Sequence, residues 1–507
     1  MRSSERRRSR PRRPTKRREV GRPQRAWALD TASRPTSNRL KLSFPAWSRI
    51  ALAATVGALG LTSCGTPAIV RTGPVNKGDN ACGYPTYTKS VTLTWWTWIP
   101  NSSKVADAFE KCYPSVHIKT PLVPASTGEY SKLEAATTAG AGAPDVVQIE
   151  YQELPTFIGQ HDLANIASVA ARYRKDYPSW LWDEVSSGRL VYAVPQDIGP
   201  EALAYRPALL AKYGISVPVT YSQFASAAKD FHKKDPSQYL TYFADNDGGY
   251  VVGLLWQAGA QPFKQTGKYS WKVNIDSAID RKVLEYWYSL VRAGAVELID
   301  DYTPAWEAQM AKGEFASYFI AAWSPTSEVN EYIKTGSQHF KVTHLPEWVR
   351  GKVTDANWGG SSDAVTTQSK HPRAAALFAT FMNTAPRSLQ VLEKSGANGG
   401  AGLFPGVNSR AKAPTFDSSI PNFAGKVNAD FASYTPHVNT SFEWSPFTEY
   451  FYTELEGQLA DAFSGRESIA AALSATQSSV VSYGNASGYN VTAVGDPPHH
   501  LEGRSAK

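Results

Sequence analysis

Cysteine is scarce in this chain, with three residues in 507, and methionine is as rare. Neither a Cys-x-x-Cys nor a His-Glu-x-x-His spacing occurs, which excludes the ligand patterns of the common zinc sites. The phosphate-cradling pattern Gly-x-x-x-x-Gly-Lys-Ser/Thr is also missing, so an ATPase loop is excluded. Long apolar runs are lacking too. The run Ile50–Leu61 has 12 residues, short of the roughly 20 needed to span a bilayer as a helix. Charged residues make up only 19% against 42% hydrophobic, a balance too apolar for a disordered chain. The length suffices for two or three domain-sized cores. Basic charge is missing where a nucleic-acid binder would need it. Residues 1–63 hold 16 Lys/Arg against 3 Asp/Glu, a net +13, whereas residues 64–507 hold 37 against 42, a net −5. Phosphate contacts require clustered basic surface on the fold, and the fold is mildly acidic.

What is present begins with a leader. Residues 2–49 are rich in arginine and carry no helical or strand period, and the apolar run follows them. A positive region before a short apolar core has the shape of a secretory signal peptide. Leu61-Thr62-Ser63-Cys64-Gly65 then resembles the lipobox of bacterial lipoproteins. That resemblance implies cleavage before Cys64, a diacylglycerol on its thiol and attachment to the outer face of the cell membrane. Buried methylenes contribute roughly 0.8 kcal/mol each, so several chains anchor stably. The alternative is a plain signal peptide with a chance cysteine. Residues 1–63 thus read as signal peptide, and residues 64–87, rich in Gly, Pro and Thr, as a tether. Export leaves Cys82 and Cys112 in an oxidising compartment. They are expected to close one disulfide, worth about 3–4 kcal/mol in the chain-entropy account.

Along the mature chain, strands and helices alternate. A strand from Ser90 to Trp96 leads through Trp98 and Asn101 into a helix, Val116–Thr120 is a second strand, and Pro144–Ile149 is a buried third. This alternation signals an α/β sheet. Beyond Val191–Pro195 the pattern becomes mixed. Helices are predicted at 207–213, 221–232, 249–258, 276–293, 304–312, 371–384, 386–394, 446–463 and 467–482, with a polar, disordered tail over 486–507.

Five segments, in order, resemble the solute-binding proteins of ABC importers, in the branch that includes maltose- and multiple-sugar-binding proteins. They are Pro144–Glu150, Val191–Phe224, Leu254–Ala260, Trp306–Trp323 and Trp358–Met382. One departure is Ser317 or Tyr318 where the family usually has Met; another is the longer leader. The resemblance spans roughly residues 90–480. It implies a two-lobed α/β fold of the periplasmic-binding-protein type II, with lobes discontinuous in sequence and joined by a hinge. Residues 88–198 with 357–410 would form the N-lobe, and 199–352 with 411–485 the C-lobe. Solute would sit in the cleft, and closure around it would present a loaded form to permease subunits in the membrane. The family implies a monomer without a cofactor.

Sugars have apolar C–H faces rimmed by hydroxyls, so aromatic platforms paired with neutral or acidic acceptors are the residues to look for. Thirteen of the 15 tryptophans lie after the leader. Trp98 and Asn101 follow a strand end, at the ligand edge of an open α/β sheet. Glu150 and Tyr151 follow another; the bland reading of Glu150 is a surface carboxylate. Gln196, Asp197 and Gly199 lie at the expected crossover. Asp247 is either a second hydroxyl acceptor or a helix N-cap. Trp323 falls where sugar-binding relatives place a stacking ring, and Trp444 and Phe447 where relatives often supply another. Trp358, Gly359 and Gly360 would bring backbone close to ligand, since glycine lacks a Cβ. Trp95, Trp96, Trp256, Trp271, Trp287 and Trp306 read as core. The expected activity is capture of a sugar, an oligosaccharide in particular, without catalysis. The competing readings are a polyamine or other non-sugar solute, and a secreted glycoside hydrolase that would pair two of Glu150, Asp197 and Asp247 about 5–9.5 Å apart.

Overall fold

The stretch Val146-Val147-Gln148-Ile149, apolar but for Gln148, is buried throughout and makes a central strand, Val146–Glu150. In the computed structural model, which describes residues 79–494 except 125–126, 335, 395–398, 413–415 and 417, it lies in a five-stranded sheet. The order is Val116–Lys119, Val91–Trp96, Val146–Glu150, Ser361–Val365, Ala193–Pro195. The first three run parallel; Ser361–Val365 is antiparallel to both of its neighbours. A second sheet sets Glu201–Tyr205 between Ser317–Ala321 and Lys341–Thr343, all antiparallel.

The chain therefore passes between the sheets more than once. Residues 196–200 leave the first sheet for the second, and residues 356–360 return. The two crossovers lie side by side: Glu201 N donates to Ala356 O at 3.0 Å, and Trp358 N to Gly199 O at 2.8 Å. A third segment joins them, with Ile198 N on Phe404 O at 2.9 Å and Gly406 N on Gln196 O at 3.0 Å. Three strands of chain in ladder contact form a hinge, the element on which two halves can rotate.

Helices cover both sheets. Pro372–Thr384, buried along nearly its whole length, backs the first sheet, with Phe378 edge-on to Trp95 at 5.3 Å. Trp95 belongs to the core, as its apolar surroundings suggest. Its Nε1 donates to Asp363 Oδ1 at 3.0 Å, and Gln196 and Asn383 donate to Oδ2 of the same buried carboxyl. Around the second sheet, Tyr221–Lys234 and Ala278–Arg292 each start with a capping box, Thr220 with Gln223 and Ser277 with Asp280. Thr448–Phe463 packs along Ile469–Ala486.

Two boundaries differ from the sequence expectation. Within the expected tail, Asn490–Ala493 is a strand that pairs in parallel with Ser270–Val273. Its register is set by Val491 burying against Gly484 and by Asn485, which bonds both polar groups of the Val491 backbone. At the other end, the expected tether already packs by Asp79. Asp79 bridges Pro85, and Tyr84 is buried between Tyr173 and Phe381. The Cys82–Cys112 disulfide is formed there, tying this segment to the residue just beyond the Ser102–Glu110 helix. Cys64 and the signal peptide lie outside the described residues.

Candidate solute-binding cleft

One wall is built where the crossovers meet. Trp323 follows the Ser317–Ala321 strand and is half-buried. Its Nε1 donates to Trp358 O at 3.0 Å, and the two indoles meet edge to face at 5.5 Å. Trp358 in turn lies 5.7 Å from the Tyr250 ring. Gly199 passes so close that a Cβ there would lie 1.9 Å from Trp358 O and 2.8 Å from Trp323 Nε1. Gly359 and Gly360 take φ of 66° and 92°, a left-handed backbone that glycine adopts without strain. A Cβ on Gly360 would stand 2.8 Å from Asp197 O. These glycines bring backbone against backbone at the hinge.

The facing wall comes from the first sheet. Trp98, just past the Val91–Trp96 strand, meets Tyr130 edge-on at 6.4 Å. The Tyr130 hydroxyl donates to Glu150 Oε2 at 2.8 Å and accepts from Glu150 N at 3.0 Å, which fixes the carboxylate at the strand's end. Beside Tyr130, Glu129 is fully buried, and neither of its carboxyl oxygens has a partner among the described residues. Burial pushes this carboxyl up to about 9; Asp363 and Glu150 add to the rise and Lys132 opposes it.

A seam of acids joins the walls. Glu153 is 2% exposed. Burial, and then Glu449 of the Thr448–Phe463 helix, raise its carboxyl well above the usual range. Glu449, Tyr452 and Glu456 fall at spacings of three and four, one face of that helix. Glu456 Oε1 accepts from Gly248 N at 2.8 Å and is pushed up to about 7, chiefly by burial. Asp247 Oδ1 accepts from Tyr250 N at 2.8 Å, so the N-cap reading of Asp247 holds. Its carboxyl is also in the seam: burial raises it to about 6, and Glu150 adds to the rise. The Glu150 charge acts on Glu449 as well.

Several residues nominated from sequence serve the walls rather than line them. Tyr151 is buried and donates its hydroxyl to Asp197 O at 2.9 Å. Gln196 is spent on Asp363 in the core. Asp197 is 4% exposed and accepts from Ser361 N at 2.8 Å; burial pushes it up to about 7. Asn101 gives its amide to Gly400 O at 2.8 Å. Phe447 packs among Trp271, Phe263 and Tyr489. Trp444 lines a separate groove of about 660 Å³, with Trp180, Tyr192, Trp256 and Tyr269. Sequence reasoning missed Glu129, Tyr130, Glu153, Glu449, Tyr452 and Glu456. The signal for the last three was a polar stripe flanking the buried face of Phe451, Leu455 and Leu459 on one helix.

A family described as bacterial extracellular solute-binding protein matches residues 100–386, more than half of the chain. The protein belongs to this family. Its place is therefore outside the cytoplasm, and its relatives are binding proteins rather than enzymes. The chain is 22% identical over 301 residues to an arabinooligosaccharide-binding protein of Bacillus subtilis, covering 57% of this chain and 68% of that one. A namesake from Halalkalibacterium halodurans is 20% identical over 273 residues, 52% of this chain and 59% of the relative. Among solved structures, the ABC transporter associated binding protein from B. animalis subsp. lactis, in complex with β-1,6-galactobiose, superposes with a TM-score of 0.69 at 25% identity. That match covers 80% of this chain and all of the other. The two-lobed type II fold of this solute-binding protein follows from such neighbours and from its own paired sheets.

Proposed function

We propose that this solute-binding protein captures an oligosaccharide between its lobes and delivers it to the membrane permease of an ABC importer. In this reading residues 88–198 with 357–410 and 199–352 with 411–485 are the moving halves, and the protein works as a monomer held to the cell membrane by a lipid on Cys64. One observation carries the reading: aromatic faces and hydrogen-bonding side chains from both halves converge beside the hinge. Trp98, Tyr130, Glu150 and Trp358 come from one half, Trp323 and Asp247 from the other. A solute that touches both sets favours the closed arrangement, because only there are all its contacts made. The sugar-binding proteins among the relatives support the same reading.

Calorimetric titration with arabino-, galacto- and gluco-oligosaccharides tests it. Saturable binding near micromolar, about −8 kcal/mol, with a change in intrinsic tryptophan fluorescence and no product formed, is the expected result. Release of shorter sugars would move the protein to the hydrolases, and silence toward every saccharide would discard the sugar reading. Mass spectrometry of the membrane-extracted protein checks the anchor: a diacylglyceryl mass on an N-terminal Cys64 is expected, and an unmodified thiol would remove it.

A further inference from the structure

The groove that takes Trp444 is a second cavity between the halves, and sugar capture beside the hinge makes no use of it. Trp180, Glu184, Ser187 and Tyr192 line it from the first half, and Trp256, Tyr269 and Trp444 from the second. None of the cleft residues Trp98, Tyr130, Glu150, Asp247, Trp323 and Trp358 belongs to its lining. The helix Leu154–Gly159 runs from one place to the other. Glu153, just before its first turn, belongs to the seam, whereas Ile158 and Gly159 at its end line the groove. Midway along that helix the halves touch, where Thr156 Oγ1 donates to Pro446 O at 3.4 Å. Behind the second wall Trp256 stacks on Phe442 at 4.3 Å, and Trp444 stands edge-on to Trp256 at 5.6 Å. The rings of this wall are therefore held in place before any guest arrives.

Two features of the groove point to a ligand. Trp180 and Tyr192 are only half-buried and Tyr269 is 48% exposed, so each ring keeps apolar surface open there. Glu184 is the other feature. It lies four residues beyond Trp180 on the helix Ser179–Glu184, which puts ring and carboxyl on one face. Burial pushes this carboxyl up to about 8, and Asp183 and Glu443 add to the rise. No hydrogen bond to a described residue opposes it. Glu443, by contrast, is spent on Lys264 and on Gln265 N, the latter at 3.0 Å. At neutral pH Glu184 thus keeps its proton, and one group offers both a donor and an acceptor. We propose that the groove is a second saccharide site, in which a sugar ring lies against Trp180 and its hydroxyls pair with Glu184. An apolar guest would leave Glu184 and Ser187 unmatched, and an anion would face Asp183 and Glu443 in the same walls. A neutral polyhydroxylated ring matches both the indole and the protonated acid. The volume of about 660 Å³ falls within the range of small-ligand pockets, roughly 300–1,000 Å³. The site stands on the groove's own lining, apart from sugar capture beside the hinge.

The test labels the full chain with 5-fluorotryptophan and follows each indole by fluorine NMR, with resonances assigned from single Trp→Phe variants. Arabinobiose, galactobiose, maltose and cellobiose are the titrants, and spermidine is the non-sugar control. Trp180 and Trp444 are expected to shift along an isotherm of their own, at least about tenfold weaker than that of Trp98 and Trp323. Trp180→Ala removes the platform, and Ser187→Trp fills the groove from an exposed position on the Ser186–Val191 hairpin. Each is expected to weaken the groove isotherm, read at Trp444, at least about fivefold and to leave the cleft isotherm within about twofold. Unchanged circular dichroism shows that the fold is kept. Groove resonances that stay still, or that move only along the cleft isotherm, overturn the second site and leave sugar capture in the cleft standing. Groove shifts with a silent cleft keep the second site and remove the cleft reading. A groove isotherm that both variants leave unchanged, or that spermidine produces and no saccharide does, overturns the second site.

Discussion

At the scale of single residues, the hinge tolerates one side chain size at one place. Gly199 is required by crowding rather than by dihedral angle, since any Cβ meets the Trp358 carbonyl and the Trp323 indole at once. Gly199→Ala must push two crossovers apart, and overpacking of that kind costs about 1–3 kcal/mol; chemical denaturation is expected to show the loss with the slope unchanged. An alanine variant as stable as the parent would mean that the crossovers already yield. Trp323 bears on binding instead. Its indole is half-buried and tethered through Nε1, so it is a pre-set platform that a sugar does not have to order. Trp323→Ala is expected to weaken saccharide binding by about 1–2 kcal/mol, read by calorimetry. Unchanged affinity would take Trp323 out of the cleft.

Elements differ in how openly the sequence declares them. The helices at 304–312, 372–384 and 448–463 announce themselves through a Pro start or an apolar stripe. Glu201–Tyr205 is buried on both faces, so it has no alternation to read, and Asn490–Ala493 is four residues whose pairing is decided by a strand 220 positions earlier. Glu129, Glu153, Glu449 and Glu456 were hidden for a related reason. Each is an ordinary polar residue on a helix or at a strand end, and only the approach of two distant segments turns a solvated face into a buried one. Glu150 was nominated because it ends a buried strand, and Trp323 because the family resemblance puts a ring there; the packing of Trp444 and Phe447 was not legible, because a ring's sequence position does not say which cavity it fills. The disulfide belongs to this scale as well. It joins the segment around Tyr84, which fills a pocket of Tyr173 and Phe381, to the end of the first helix. Reduction is expected to cost about 3–4 kcal/mol and to lower the melting temperature while leaving the sheets folded. Equal melting of the oxidised and reduced protein would show that the loop is held by packing alone.

For the whole molecule, the buried carboxyls set a direction to stability. Burial holds Asp197, Asp363 and Glu456 near about 7, Glu184 near about 8 and Glu129 near about 9, whereas in an unfolded chain such groups titrate near about 4. Between those values the unfolded form has released protons that the folded form retains. Stability is therefore greatest below the unfolded values and is lost as pH rises from about 4 through 7 and on toward 9. The protein without solute is expected to melt at least about 3 °C higher at pH 5.5 than at pH 8.5, followed by circular dichroism in buffers of equal ionic strength. A flat or opposite trend would mean that the carboxyls are solvated and that the halves stand apart in solution.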